Sequence, residues 1–127
     1  MLAAYDPDED KFETVTKCGT GFTDEDLAKL PKMLEKHRLP HKSPRVNSTL
    51  EADVWFEPKV VIEVLGAEIT LSPIHTAAMD KVRKGSGLAI RFPRFTGNYR
   101  VDKAAEDATS TSEIIEMYRS QLKKVAE

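Results

Sequence analysis

The chain has 127 residues, of which 40% are hydrophobic and 31% charged, and this composition predicts one soluble globular domain with a modest core. No apolar run approaches the ~18 residues that a transmembrane helix needs, and the acidic N-terminus does not resemble a signal peptide. The single cysteine, Cys18, excludes an internal disulfide and favours a cytosolic protein. A net charge of −2 excludes a polycation that binds nucleic acid through its overall charge.

The first element that the sequence predicts is a β-hairpin. Residues 2–5 and 12–18 have strand-like composition, and the acidic, proline-containing segment 6–10 between them is typical of a turn. The second strand ends where Gly19 and Gly21 flank Thr20. We interpret this glycine pair as a plain turn because it lacks the spacing of a Walker or dinucleotide loop, although it could also let backbone amides approach a phosphate.

A helix is predicted to begin after Thr23. This N-cap hydroxyl and the carboxylate of Asp26 form a capping box. The apolar side chains that follow at helical spacing are Leu27, Leu30 and Leu34. Pro31 is expected to kink this helix or divide it into two pieces.

The next segment, 38–53, is rich in proline, serine and basic residues, and we expect a long surface connection. Residues 41–45 within it could contact a polyanion, although such runs are usually only solvated. His37 and His41 are four residues apart, like metal ligands, but Pro40 disrupts a helix between them and no further ligand completes a set. We therefore expect no metal site.

Residues 60–72 form the strongest predicted strand. Its apolar alternation changes phase at Gly66, which predicts a β-bulge of the kind that coils a strand in a small barrel. The strand ends at Pro73, and His75 follows in an apolar setting that favours a structural role over a catalytic one.

The segment 81–103, the basic segment, carries a local charge of +6 while the rest of the chain sums to −8. Its seven cations, set against Asp102 alone, are Lys81, Arg83, Lys84, Arg91, Arg94, Arg100 and Lys103. Three aromatic residues, Phe92, Phe95 and Tyr99, are interleaved with the arginines and offer flat faces to bases or sugars. The segment therefore predicts a phosphate-binding surface, and the alternative is a charged, solvated edge strand.

A second capping box, at Ser110 and Glu113, begins a C-terminal helix. Its apolar stripe consists of Ile114, Ile115, Tyr118, Leu122 and Val125, and Lys123 and Lys124 lie at its negative end. We expect the stripe to pack on the domain, although it could also dock on a neighbour.

The order of these elements predicts a mainly β chain with the OB-fold, a five-stranded Greek-key barrel with an inserted helix, here lacking its first strand and followed by a C-terminal helix. Several blocks resemble the C-terminal OB domain of ATP-dependent DNA ligases of the archaeal and eukaryotic replicative type, over nearly the whole of residues 1–127. The blocks are residues 2–6, 17–27, 55–58, 63–64, 71–74 and 88–95. The continuation from Arg91 to Lys103 matches the family's motif VI.

The resemblance implies two positions for the domain. It first closes over the adenylation domain, where motif VI contacts the β- and γ-phosphates of ATP through Arg91 or Arg94, with Arg100, Asp102 and Lys103. It then lies on the minor groove of nicked double-stranded DNA, where Arg91 and Phe92 would reach the groove. The wider set of implied DNA contacts is Arg91, Phe92, Arg94, Lys84, Thr20 and Gly21.

The resemblance also implies that ATP and Mg²⁺ serve the parent enzyme and that this chain alone binds neither. The Lys-x-Asp-Gly nucleophile and the metal-binding carboxylates of the family are absent from the sequence, so we expect the chain alone to be inactive. The chain is expected to begin inside the domain, so that another chain or the C-terminal segment covers an open barrel edge. The implied location is the cytoplasm (nucleoid) of an archaeon or a eukaryotic nucleus, with no membrane partner.

Two other functions stay open at this point. A stand-alone OB domain that binds single-stranded nucleic acid would spread its aromatic residues over the barrel face, whereas here they cluster in one segment. The OB domain of an RNA ligase or capping enzyme uses related chemistry, but the blocks at 19–25 and 92–95 argue against it.

Overall fold

The computed structural model describes the backbone of residues 1–126 and the side chains of residues 1–122. This part of the chain is mainly β, as predicted, with two α-helices and a short 3₁₀ helix at Ala105–Asp107. The elements are β1 (Leu2–Asp6), β2 (Lys11–Thr16), α1 (Asp24–Glu35), β3 (Arg38–Leu39), β4 (Val46–Asn47), β5 (Trp55–Phe56), β6 (Ile62–Leu65), β7 (Glu68–Ser72), β8 (Gly87–Arg91), β9 (Arg94–Tyr99) and α2 (Thr111–Ala126).

The predicted N-terminal hairpin is confirmed. β1 and β2 pair antiparallel, with Tyr5 opposite Phe12 and Asp6 opposite Lys11. Asp6 closes the turn because its Oδ1 accepts hydrogen bonds from the backbone amides of Asp8 and Glu9. β4, inside the predicted connection 38–53, adds to β2 in parallel, so this connection contributes short strands as well as loop.

A long, bent ribbon forms the second half of the sheet structure. β7 pairs with β8 and β6 pairs with β9, both antiparallel. Leu65 lies opposite Arg94 and Glu68 opposite Arg91, so the same number of residues interrupts both strands. The predicted bulge at Gly66 is therefore wrong: the break in pairing is matched in both strands, and the register irregularity lies between Ile62 and Val64. Gly66 suits the bend because a Cβ there would lie 2.3 Å from Ile90 Cγ2.

The hairpin and the ribbon meet through Ala77. The Ala77 amide donates to Thr14 O at 2.9 Å, and Ala77 O accepts from the Leu88 amide at 2.8 Å. The buried apolar cluster around this junction consists of Ala4, Val15, Ile69, Ala77, Ala78, Leu88 and Ile114. The result is an open, OB-like arrangement. In the described residues the strands do not close into a barrel, and a groove of about 750 Å³ is lined by parts of β1, β2, α1, β6 and β7.

Helix α1 begins at the predicted capping box. The Asp26 amide donates to Thr23 Oγ1 at 3.2 Å, and the Thr23 amide donates to Asp26 Oδ2 at 2.9 Å. The predicted division at Pro31 is wrong, because α1 continues through Pro31 to Glu35. No residue of α1 is buried, so water can reach the backbone carbonyl that a proline leaves without its donor. Leu27, the first of the three leucines at helical spacing, is 61% exposed.

Helix α2 packs on the domain, as predicted. Ile114 is 2% exposed, and Ile115 and Tyr118 pack against the buried cluster. Ser110 Oγ accepts from the Glu113 amide at 3.2 Å, which is the N-cap half of the predicted box. Leu122 is half exposed, and the side chains of Lys123, Lys124 and Val125 lie outside the described residues.

Glu13 is a buried carboxyl in β2, and its Oε1 accepts a hydrogen bond from the Ala78 amide at 3.1 Å. Burial raises the pKa of Glu13 above its usual value, and the nearby Asp6 and Glu9 add to the effect. Because the pKa of Glu13 is higher in the folded state than in the unfolded state, protonated Glu13 contributes its full stabilisation below the unfolded-state pKa. This stabilisation is lost as the pH rises through the folded-state pKa and the buried carboxyl ionises.

Glu13→Gln is therefore expected to raise the melting temperature at pH 7–8 and to leave it nearly unchanged at about pH 4. Glutamine keeps the acceptor for Ala78 and removes the buried charge. Thermal unfolding followed by circular dichroism across this pH range tests the expectation, with exposed Glu116→Gln as the matched control. A gain that is independent of pH would contradict it.

Candidate phosphate and nucleic-acid interface

The cations of the basic segment lie in three groups along the ribbon. Lys81, Arg83 and Lys84 are exposed in the turn before β8, Arg91 and Arg94 flank the break between β8 and β9, and Arg100 and Lys103 follow β9. Arg94 lies opposite Leu65 and Tyr99 opposite Ile62, so the two ends of β9 are separated by roughly 10 Å, three residue steps of the partner strand. The five residues that match motif VI are therefore not at one point: Arg91 and Arg94 lie at one end of β9, and Arg100, Asp102 and Lys103 lie at the other.

The break between β8 and β9 presents an aromatic side chain to solvent. Phe92 is 68% exposed and has a φ of 54°, a conformation that bulky residues rarely adopt. The guanidinium of Arg91 lies 5.0 Å from the centre of the Phe92 ring. Within the described residues neither Arg91 nor Arg94 forms an ion pair. This end of β9 therefore carries an exposed ring and two guanidinium groups available to an external anion.

The glycine pair of residues 19–21 lies beside Arg94. The Phe95 amide donates to Thr20 O at 2.8 Å, and a Cβ on Gly21 would lie 2.3 Å from Phe95 O and 3.0 Å from Arg94 Cγ. Gly21 also has a φ of 93°. Close packing of two backbones thus explains Gly21, in keeping with a structural turn, and it brings Thr20 and Gly21 next to the exposed cations at the break.

The expectation that all three aromatic residues of the basic segment offer their faces to a ligand is wrong for Phe95. Phe95 is 2% exposed, stacks on Phe22 with ring centres 4.8 Å apart and meets the edge of Tyr99 at 5.1 Å. The Tyr99 hydroxyl donates to Asp26 Oδ1 at 2.9 Å, and Lys29 Nζ lies 4.5 Å from the Tyr99 ring centre. Tyr99 thus links β9 to α1, and Phe95 packs against Phe22, the residue before the N-cap Thr23.

At the far end of β9, Arg100 is held by acids of the domain itself. Its Nε and Nη2 donate to Asp102 Oδ1 and Oδ2 at 3.1 and 3.0 Å, and Glu63 Oε2 lies 3.9 Å from Nη1. The hydrogen bonds from Arg100 lower the pKa of Asp102, and those to Asp102 raise the pKa of Arg100. Asp102 thus fixes the direction of Arg100, while Lys103 is half-buried beside it at the groove.

Arg45 makes contacts that its sequence context does not predict. It was expected to belong to a solvated or polyanion-binding run, but it donates to Asp10 at 2.7 Å and to Glu106 at 3.0 Å. Its guanidinium also lies 5.0 Å from the Phe12 ring centre. Arg45 therefore ties the 3₁₀ helix that follows Lys103 to the N-terminal hairpin. Arg45 and Glu106 are 61 positions apart, so no local sequence pattern predicts their contact.

The histidines contribute no ligand cluster. In the part of the chain whose side chains are described, no three His, Cys, Asp or Glu residues are grouped closely enough to hold a metal ion. His75 is half-buried, burial lowers its pKa, and its Nδ1 has no hydrogen-bond partner among the described residues.

None of the helices in residues 1–126 combines the length and hydrophobicity that a bilayer crossing requires.

The sequence profile of the ATP-dependent DNA ligase C-terminal region matches residues 1–103. The chain belongs to this family. As a ligase C-terminal region, it is 65% identical to DNA ligase 2 of Thermofilum pendens over 97% of its length and 20% of that relative. It is 61% identical to a DNA ligase of Pyrobaculum islandicum over its whole length and 22% of that relative. It is 58% identical to a probable DNA ligase of Aquifex aeolicus over 97% of its length and 21% of that relative.

These matches confirm the resemblance to the C-terminal region of ATP-dependent DNA ligases. The ligase C-terminal region described here spans about a fifth of the length of the curated relatives it matches.

Proposed function

We propose that this domain acts as the phosphate-binding and DNA-binding module of an ATP-dependent DNA ligase, together with an adenylation domain. The observation that carries the proposal is the division of the basic segment into two cationic ends of β9, within a chain of this family. One end has available arginines and an exposed ring, and the other has an oriented arginine beside a lysine. Two separate positions on one strand suit two successive ligands.

The end formed by Arg100, Asp102 and Lys103 is proposed to contact the β- and γ-phosphates of ATP. ATP with Mg²⁺ would supply the AMP that is transferred to the lysine, with pyrophosphate as the leaving group, and the residues of this chain would supply positive charge to the departing β- and γ-phosphates. Phosphoryl transfer depends chiefly on cations held in place before the charge develops. Asp102 fits this role as the residue that orients Arg100. Arg94, available at the opposite end of β9, or its neighbour Arg91, is proposed to add to the contact when the domains close.

The end formed by Arg91, Phe92 and Arg94 is proposed to bind the minor groove of nicked duplex DNA, with Lys84, Thr20 and Gly21 as flanking contacts. An apolar side chain set between cations can press on sugars or a base step while the cations neutralise phosphates. Such contacts are independent of sequence and weaken with salt. Phe95 and Tyr99 are occupied inside the domain, which argues against a stand-alone single-strand binder that relies on stacking along the strand.

The chain alone is proposed to be inactive, because the lysine that accepts AMP would be supplied by the adenylation domain. The test mixes this chain with a matching adenylation domain and follows AMP transfer to that lysine. Arg94→Ala and Lys103→Ala are each expected to slow transfer by about a hundredfold, as for loss of one charge-stabilising donor. Lys32→Ala, an exposed lysine of α1, is the control and should leave transfer unchanged. Indifference of transfer to both Arg94 and Lys103 would remove the motif VI assignment.

A further inference from the structure

Glu63 of β6 lies opposite an irregular part of β9. The residues on either side of Glu63 pair with Tyr99 and Phe95, so Glu63 alone faces the three residues 96–98 of β9. Gly97, in the middle of this segment, has a φ of 93°, which favours glycine. Extra residues in one strand of a pair re-aim side chains and are common beside functional sites. The irregularity therefore gives Glu63 neighbours that a regular ladder would not provide.

Two side chains of the irregular segment hold Glu63. Asn98 Nδ2 donates to Glu63 Oε2 at 3.3 Å, and Thr96 Oγ1 donates to the carbonyl oxygen of Glu63 at 3.4 Å. The Asn98 amide in turn donates to Thr96 Oγ1 at 3.3 Å. The strand pair thus fixes the carboxylate of Glu63, whose Oε2 also lies 3.9 Å from Arg100 Nη1.

Asp102, the other acid beside Arg100, belongs to the same exposed turn as Arg100. Val101 between them is 86% exposed, and the Asp102 side chain is 64% exposed. Asp102 orients the guanidinium relative to this turn, but an acid and a cation on one turn can move together. Of the two acids, Glu63 is the one on a different strand, so it ties the guanidinium of Arg100 to the sheet.

The distance from Glu63 leaves Arg100 able to bind an anion. At 3.9 Å the contact is too long for a hydrogen bond, so Glu63 attracts Nη1 without taking its hydrogens. Asp102 accepts one hydrogen from Nε and one from Nη2. The hydrogens of Nη1 and the second hydrogen of Nη2 therefore stay available for a phosphate.

We infer that Glu63 is a positioning residue for the phosphate contact of Arg100, and that Asn98 in turn holds Glu63. This inference rests on the function proposed above for Arg100. A cation that is oriented before the reaction stabilises developing charge without reorganising, so a loosened guanidinium slows AMP transfer. An exposed ion pair contributes little energy, so this effect is smaller than the loss of Arg100 itself.

Glu63→Gln tests the inference because it removes the charge and keeps the shape and the acceptor for Asn98. In the chain alone, NMR relaxation of the Arg100 Nε–Hε group is expected to give a lower order parameter than in the wild type, at an unchanged melting temperature. With a matching adenylation domain, AMP transfer is expected to slow about fivefold, the upper range for one exposed ion pair. High salt should reduce this difference, because it screens the pair in the wild type.

A double-mutant cycle separates positioning from a general structural effect. In an Arg100→Ala background, Glu63→Gln should slow transfer no further, because the group on which it acts is gone. Glu63→Asp keeps the charge and should fall between the wild type and Glu63→Gln in both measurements. Glu35→Gln, at an exposed position of α1, is the matched control and should change neither.

An unchanged order parameter of Arg100 in Glu63→Gln, or an equal slowing of transfer with and without the Arg100 side chain, would overturn the inference. If Arg100→Ala slows transfer and Glu63→Gln does not, the positioning role is wrong and the phosphate contact stands. If Arg100→Ala itself leaves transfer unchanged, the proposed contact of Arg100 with ATP fails, and the inference fails with it.

Discussion

Gly87→Ala is expected to destabilise the domain by about 3 kcal/mol or more, the upper range for overpacking a buried site. A Cβ at Gly87 would lie 2.0 Å from His75 O and 2.9 Å from His75 C. Both atoms belong to the backbone and cannot rotate away. The displaced segment includes Ala77, whose hydrogen bonds to Thr14 and Leu88 join the hairpin to the ribbon. The clash therefore strains a junction between the two halves of the sheet structure.

Thermal unfolding measures this effect, and a loss of about 10 °C or more in melting temperature is expected for a domain of this size. Gly19→Ala is the matched control, because a Cβ at Gly19 meets no atom within 4 Å. It should change stability by no more than about 0.5 kcal/mol. Equal melting temperatures for the two variants would show that the segment at His75 moves aside freely.

Phe92 and Phe95 are expected to respond in opposite ways to the same substitution. Phe95→Ala removes a ring that is 2% exposed and stacked on Phe22, so a loss of about 3–5 kcal/mol of stability is expected. Phe92→Ala removes a ring that is 68% exposed, so stability should hardly change. If the proposed DNA contact is correct, Phe92→Ala should weaken binding to nicked duplex by about tenfold, in the range of one lost aromatic contact.

Urea unfolding and fluorescence anisotropy with labelled nicked duplex, each at two salt concentrations, separate the two effects. Each variant is the control for the other, since the substitution is identical and the positions are three residues apart. Unchanged DNA affinity in Phe92→Ala would contradict the proposed contact at the break. If the wild-type chain binds single strands more tightly than nicked duplex, the alternative function, a stand-alone domain that binds single-stranded nucleic acid, is favoured.

Several features followed from local sequence alone because their causes are local. The N-terminal hairpin depends on strand composition around an acidic turn, and α1 begins where Thr23 and Asp26 form a capping box. The apolar stripe of α2 gives its packed face, and the change of phase at Gly66 marks the boundary between β6 and β7. The family blocks were recognisable in sequence for the same reason, since each is a short contiguous run.

Other features were decided only by the tertiary structure. Phe92 and Phe95 look equivalent in a basic, aromatic run, yet Phe92 is exposed and Phe95 is buried against Phe22 and Tyr99. The sequence around Arg45 suggests a solvated cation, whereas in the fold Arg45 forms ion pairs with both Asp10 and Glu106. Gln121 accepts a hydrogen bond from the amide of Ile69, which lies 52 residues earlier in the chain. Each of these depends on which distant atoms arrive within hydrogen-bonding or van der Waals distance, and composition and periodicity describe only neighbours along the chain.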